Sequence, residues 1–222
     1  MRYLDLLTAL FATVLLVSNV ASTKLVVLGP FTFDGGTLLF PLAYIFGDVL
    51  TEVYGYRKSR RVIWIGFFAL LLATLTFQAV AHLPAPPDAE SQRFGEAFGL
   101  LLGLTPRIVL GSLLASFLGE FANAYVLAKL KVRTEGRFFW LRALASTLVG
   151  QGLDTGVFLL VAFYGVFPKE VLLAVFLSNY AFKLGVEALM LPFTYAVVGF
   201  LKRAEGMDAY DRDTDFNPFR LT

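Results

Sequence analysis

Asp48 and Glu52 stand one helical turn apart inside the strongly apolar stretch 37–55. A charge at bilayer depth costs about 2.5–3.5 kcal/mol even on a lenient insertion scale, so it faces a partner or a water-filled pathway. Other apolar stretches carry interior polar groups of the same kind. Asn19 lies in the first, Glu120 and Asn123 in 106–130, and Gln151 and Asp154 in 141–163. Asn179, Lys183 and Glu187 form an i+4 row in 169–200. Carboxylates, amides and one ammonium can pair the donors and acceptors of a polar ligand or pass a proton. They cannot form a thiolate or His-pair site, because the chain has no Cys and His82 is its single histidine. No metal site and no cofactor are expected.

These groups need helices to hold them. The chain has 222 residues and is 57% hydrophobic, with a mean hydropathy of +0.70, beyond the roughly 45–50% apolar content of soluble proteins. The pattern predicts an all-α polytopic bundle of six transmembrane helices, near 4–28, 36–54, 61–82, 106–130, 141–163 and 169–200. Residues 1–203 form this domain and 204–222 an acidic cytoplasmic tail, expected to be poorly ordered. The first segment reads as a retained helix, since no small-residue cleavage site precedes Lys24. Residues 94–104, apolar but too short to span, read as an interfacial or re-entrant helix. No phosphate-binding loop is present and a nucleotide-binding domain would not fit, so ATP is not this chain's own fuel.

Basic residues set the orientation. Arg57, Lys58, Arg60 and Arg61 follow the second span, Lys129, Lys131, Arg133, Arg137 and Arg142 surround the connection after the fourth, and Lys202 and Arg203 follow the sixth. The opposite loops offer Arg93 and Lys169. This asymmetry places both termini in the cytoplasm.

At about 1.5 Å per residue, Asp48 lies roughly 18 Å below the outer start of its span, and Glu120 and Lys183 roughly 21 Å below theirs. Gln151 and Asp154 reach a similar depth from the inner side. Blander roles compete at several positions. Gly111, Ala115 and Gly119 fit a plain helix–helix contact. Lys183 and Glu187 could merely neutralise each other, Lys24 could snorkel, Arg57 could serve Glu52, and Arg107 could be a surface anchor. Asn19, Asp48, Glu120, Asn123, Gln151, Asp154, Asn179 and Lys183 are therefore candidates for ligand binding, with Glu52, Arg107 and Glu187 for coupling or gating. Among the 23 Phe and 9 Tyr, Tyr44, Phe121, Tyr125, Phe158 and Tyr180 lie within a turn of the polar groups and are the candidates for stacking.

Ser18-Asn19, Phe40-Pro-Leu-Ala-Tyr44, Gly47-Asp48, Thr51-Glu-Val-Tyr-Gly55 and Ser59-Arg-Arg61 resemble the first half of the queuosine precursor transporters, also called vitamin uptake transporters. The second half is similar too, at Arg107, Gly119-Glu120, Asn123, Ala128-Lys-Leu130, Ser146-Thr147, Gly150-Gln151, Asp154-Thr155, Asn179-Tyr180, Lys183, Pro192 and 214–219. The resemblance implies a bacterial inner-membrane importer of 7-cyano-7-deazaguanine, its 7-aminomethyl derivative or a related 7-deazaguanine used to modify tRNA. It also implies a fold similar to the substrate-binding subunits of energy-coupling-factor vitamin transporters. The expected partners are that small molecule and the bilayer, not nucleic acid; a homodimer or an energising module stays open.

The residues suit such a ligand independently. A guanine-like edge offers two donors that one carboxylate accepts together, O6 suits Lys, Asn or Gln, and stacking on an aromatic ring is worth roughly 1–3 kcal/mol. Three rival classes remain at this point. Phe46-Gly47-Asp48 faintly resembles an element of intramembrane aspartyl proteases, but a catalytic aspartate needs a second one in hydrogen-bonding range, and no enzyme is expected. A substrate-binding subunit serving a separate ATPase module is the main alternative. A purely structural membrane protein would leave the charge layer unexplained.

Overall fold

In a computed structural model, which describes residues 1–28, 31–103 and 106–220, the acid-bearing helix is the centre of the bundle. That helix, α2 (Phe40–Tyr54), has Pro41 in its first turn and stops at Gly55. Gly55 has φ 83°, a left-handed angle that a side chain resists. The chain turns there into α3 (Tyr56–Ala81). Val49, Leu50 and Val53 of α2 are buried, as are Asp48, Thr51 and Glu52 beside them. α2 packs against α1 (Leu4–Ala21), α3, α5 (Pro106–Arg133) and α7 (Lys169–Glu205). A helix wrapped on all sides by others has no lipid-facing stripe, which is why its sequence tolerates acids on an apolar background.

Among the described residues, five helices are long and apolar enough to cross a membrane: α1, α3, α5, α6 (Phe139–Phe163) and α7. Their outward residues are large and apolar, including Leu72, Leu160 and Leu189, as lipid contact requires. The expected second span is shorter than 36–54. A 3₁₀ turn at Gly35–Leu38 precedes α2, and the helix's 15 residues reach about 22 Å, short of a hydrocarbon core of about 30 Å.

The first helix also ends early, at Ala21 instead of 28. The Ser22 and Thr23 hydroxyls donate back to the Ser18 and Val20 carbonyls, a local competition that closes helices. A hairpin follows, with β1 (Leu25–Leu28) antiparallel to β2 (Phe31–Asp34) and Leu25 opposite Asp34. Gly35 then passes against α1, where a Cβ would come within 2.6 Å of the Ala21 carbonyl oxygen. The short helix expected over 94–104 is α4 (Ala89–Leu102), capped by Asp88 accepting from the Ser91 amide at 2.8 Å. α4 buries none of its residues and packs chiefly on α3.

The glycine row of α5 is a helix contact. A Cβ on Gly119 would stand 2.9 Å from Asp154 Cβ and 3.0 Å from the Gly150 carbonyl oxygen. A Cβ on Gly150 would meet Asn123 Cβ at 2.9 Å in return. Two glycines facing each other let α5 and α6 approach to backbone distance.

The acidic tail is not loose. Asp211 accepts from the Tyr56 amide at 2.9 Å and so caps α3 from 155 residues away. Arg60 donates to the Asp215 and Asn217 carbonyls, and Trp64 Nε1 to the Pro218 carbonyl. Phe216 packs on Tyr56 with Lys129 over its face, 3.9 Å from the ring centre. The tail's aromatic, amide and proline groups, not its acids alone, fasten it across α3 and α5.

Candidate functional site

The polar groups separate into three levels along the bundle. At the level away from the chain termini lies a cavity of about 520 Å³, between α1, α2, α3, α5, α6 and α7, within the range of about 300–1,000 Å³ of small-molecule sites. Asn19, Glu120, Asp154, Asn179 and Lys183 line it, together with Tyr44 and Phe158. Asn19 donates to Ser112 Oγ at 3.1 Å, joining α1 to α5. Lys183 Nζ stands 3.0 Å from Asp154 Oδ2, and both side chains are largely buried. The pair crosses from α6 to α7; it is not the Lys183–Glu187 pair within one helix. Glu120 lines the cavity, and its Oε2, turned towards Gly47 of α2, is buried with no hydrogen-bond partner among the described residues.

The second level lies beneath the cavity, at Asp48, Asn123 and Glu187. None of the three lines the cavity. Asn123 Nδ2 donates to Asp48 Oδ1 at 2.9 Å, while Asp48 Oδ2 and Glu187 Oε1 are buried with no hydrogen-bond partner among the described residues. Gln151 is buried on α6 and its Oε1 has no donor among the described residues.

The third level is at the end that holds both termini, and it is an ion cluster around Glu52. Arg142 grips both Glu52 oxygens, at 2.5 and 3.2 Å. Lys202 reaches the same carboxylate at 2.7 Å and Lys131 at 3.5 Å. Asp208 of the tail pairs with Lys131 and Lys202. Glu52 is served by Arg142, Lys131 and Lys202, not by its sequence neighbour Arg57, because α2 ends at Gly55 and Arg57 starts a new helix. Burial raises the cost of the Asp208 carboxylate, but its bonds to Lys131 and Lys202 outweigh this and hold it below the ordinary range.

The other candidates lie elsewhere. Arg107 donates to the Val161 and Tyr164 carbonyls, each at 2.5 Å, tying α5 to the end of α6. Phe121 belongs to a buried cluster with Tyr56 and Ile63. Tyr125 packs edge-on against Phe216 of the tail. Tyr180 donates to the Leu148 carbonyl and stacks on Phe176. Phe121 and Tyr125 follow Glu120 by one and five residues, so they point off its face by about 100° and 140°.

Sequence reasoning passed over Ser18, Ser22, Ser112, Ser116, Thr155 and Phe163 as site residues, and all line the cavity. The signal lay in their spacing. Ser112 and Ser116 precede Glu120 at i−8 and i−4, and Ser18 and Ser22 flank Asn19. Phe163 meets Phe158 edge-on, with ring centres 5.6 Å apart.

Five apolar membrane-length helices around a buried acidic helix, with a cavity inside the bundle that several polar side chains line, define a multi-pass helical membrane protein. The family described as "Putative vitamin uptake transporter" matches residues 34–197, and the chain belongs to it. The chain is 36% identical over 188 residues to the "Probable queuosine precursor transporter" of Bacillus subtilis (strain 168), covering 84% of this chain and 80% of that one. It is 26% identical over 168 residues to the "Queuosine precursor transporter" of Escherichia coli (strain K12), covering 73% and 71%. A "Probable queuosine precursor transporter" of Haemophilus influenzae is 25% identical over 166 residues, covering 73% and 67%. No solved structure matches the chain.

Proposed function

We propose that this protein imports a 7-deazaguanine precursor of queuosine across the bacterial inner membrane, with both termini in the cytoplasm and without a separate ATPase. The observation that carries the reading is the cavity itself. It sets the Glu120 carboxyl, the Asp154–Lys183 pair and the Asn19 and Asn179 amides against the rings of Tyr44, Phe158 and Phe163. Relatives named as queuosine precursor transporters over most of their length support it.

In this reading Glu120 accepts N1–H and the exocyclic amine, Lys183 or Asn179 donates to O6, and an aromatic ring covers the flat face. A site whose polar groups pair the ligand's own rejects an analogue lacking them by about 10⁴-fold. Adenine presents one donor and a ring acceptor where guanine has two donors, so it leaves Glu120 unpaired. The Lys/Arg asymmetry puts the Glu52 cluster on the cytoplasmic side and the cavity level on the outer side. The ion cluster then closes the inner end while the cavity receives ligand from outside.

Uptake of labelled 7-cyano-7-deazaguanine by cells lacking their own importer tests the function. Expression of this chain should restore uptake, unlabelled 7-deazaguanines should compete, and adenine should not. Equal competition by adenine, or no uptake by well-expressed protein, overturns it. A cysteine introduced at Ala89 of the Cys-free chain should react with an impermeant maleimide from outside the cell, and labelling only from the cytoplasmic side overturns the orientation.

A further inference from the structure

Acids buried in this bundle differ in how they are neutralised. Among the described residues, ion pairs reach Glu52 from Arg142, Lys131 and Lys202 and reach Asp154 from Lys183, but none reaches Asp48, Glu120 or Glu187. Asp48 and Glu187 are 0% and 2% exposed. Their carboxyls are close neighbours across the α2–α7 contact, and two carboxyls can share a hydrogen bond only when one of them carries an O–H. A proton held on one of them is the donor that would join the two. Asp48 Oδ2 and Glu187 Oε1 are buried with no hydrogen-bond partner among the described residues, and such a proton supplies the partner that burial requires.

The surroundings fit a transferable proton. Besides Glu187 on α7, the charged and polar groups acting on Asp48 are Asn123 and Glu120 on α5 and Glu52 on its own helix. None of these comes from α1 or α3. Tyr44, a turn earlier on α2, lies among Asp154, Glu120, Glu187 and Asp48. Lys183 precedes Glu187 by one turn and pairs with Asp154. Carboxyls thus run from the cavity wall at Glu120, through the Asp48–Glu187 pair, to Glu52 in the ion cluster.

We propose that the Asp48–Glu187 pair is a proton-binding site that couples transport to the pH gradient across the membrane. It rests on the transport reading above. A proton from the cavity side binds one carboxylate and is shared with the other. When ligand leaves towards the far end, the same O–H bond breaks and the proton departs on that side; no other bond changes.

The test uses the purified full chain. In proteoliposomes holding only this protein, an inward proton gradient should drive labelled 7-cyano-7-deazaguanine above its external concentration, up to about tenfold per pH unit for one proton per ligand. E187Q should lose that accumulation. Infrared spectroscopy should show a protonated-carboxyl C=O stretch that D48N and E187Q each remove. Wild-type counterflow that a pH gradient leaves unchanged, or absence of that band, overturns the coupling site while sparing the transport function. Wild type showing no counterflow overturns the transport function instead, and the infrared band still decides the proton site.

Discussion

Lys183 and Asp154 meet at 3.0 Å across the α6–α7 interface on the cavity wall, one level away from the carboxyl pair that holds no cation. A charge pair at a ligand site differs from one in a packed core, because ligand can replace one partner's contacts. It need not stabilise the fold to be retained.

D154N should leave protein in the membrane and lower uptake of labelled 7-deazaguanine by about 10- to 100-fold, the worth of a hydrogen bond to a charged group. K183M should do the same by leaving Asp154 without its cation. Uptake measured against the amount of folded protein checks both, and full uptake by both variants would remove the pair from the site.

Glu52 behaves differently. It is held by Arg142 through two bonds, and both side chains are 1% exposed. Removing one partner strands the other, at a cost of about 3–5 kcal/mol. R142M should therefore lower thermal stability in detergent sharply, and the R142M/E52M double variant should recover part of the loss. A double variant no better than the single one would show that the pair is not the unit that matters.

The level of each polar group was legible in the sequence; its partner was not. Depth follows from counting residues along a helix, so spacing alone sets Glu120, Asp154 and Lys183 near one level. Partnership depends on which helices touch, and that is set by α2 ending at Gly55 and by the Gly119–Gly150 approach. Glu52 and Arg57 are close in sequence, yet they stand on different helices that diverge at a glycine. Asp48 and Glu187 are 139 residues apart in sequence and close in the bundle. The tail misled for another reason. Its acids suggested solvation, but Asp211 and Pro218 each accept from a specific donor on α3 and Phe216 packs on a ring there.

G119A tests the close approach. Its methyl would need the Gly150 carbonyl, at 3.0 Å, and Asp154, at 2.9 Å, to give way. Overpacking of this kind costs about 1–3 kcal/mol. Because Asp154 moves with the helix, uptake should fall along with stability. A G119A variant with the wild-type melting temperature and uptake would mean that the two helices stand further apart.

Acidification should loosen the tail through Asp208. Its carboxylate is held below the ordinary range in the folded chain, against the cost of burial, by its bonds to Lys131 and Lys202. A depressed carboxylate contributes stability above its unfolded value, and that contribution is lost as pH falls through the folded one. With the Asp208 side chain 41% exposed, the effect is a local one on the tail. Hydrogen exchange of residues 207–219 should quicken as pH drops below the usual carboxylate range, after correction for the intrinsic pH dependence of exchange. D208N should show the faster exchange already at neutral pH and little further change. The cap from Asp211 to the Tyr56 amide is a separate fastening, and D211A should cost about 0.5–2 kcal/mol at neutral pH. If D208N and wild type exchanged alike at every pH, the tail would be held without Asp208, by the Asp211 cap and its aromatic and carbonyl contacts.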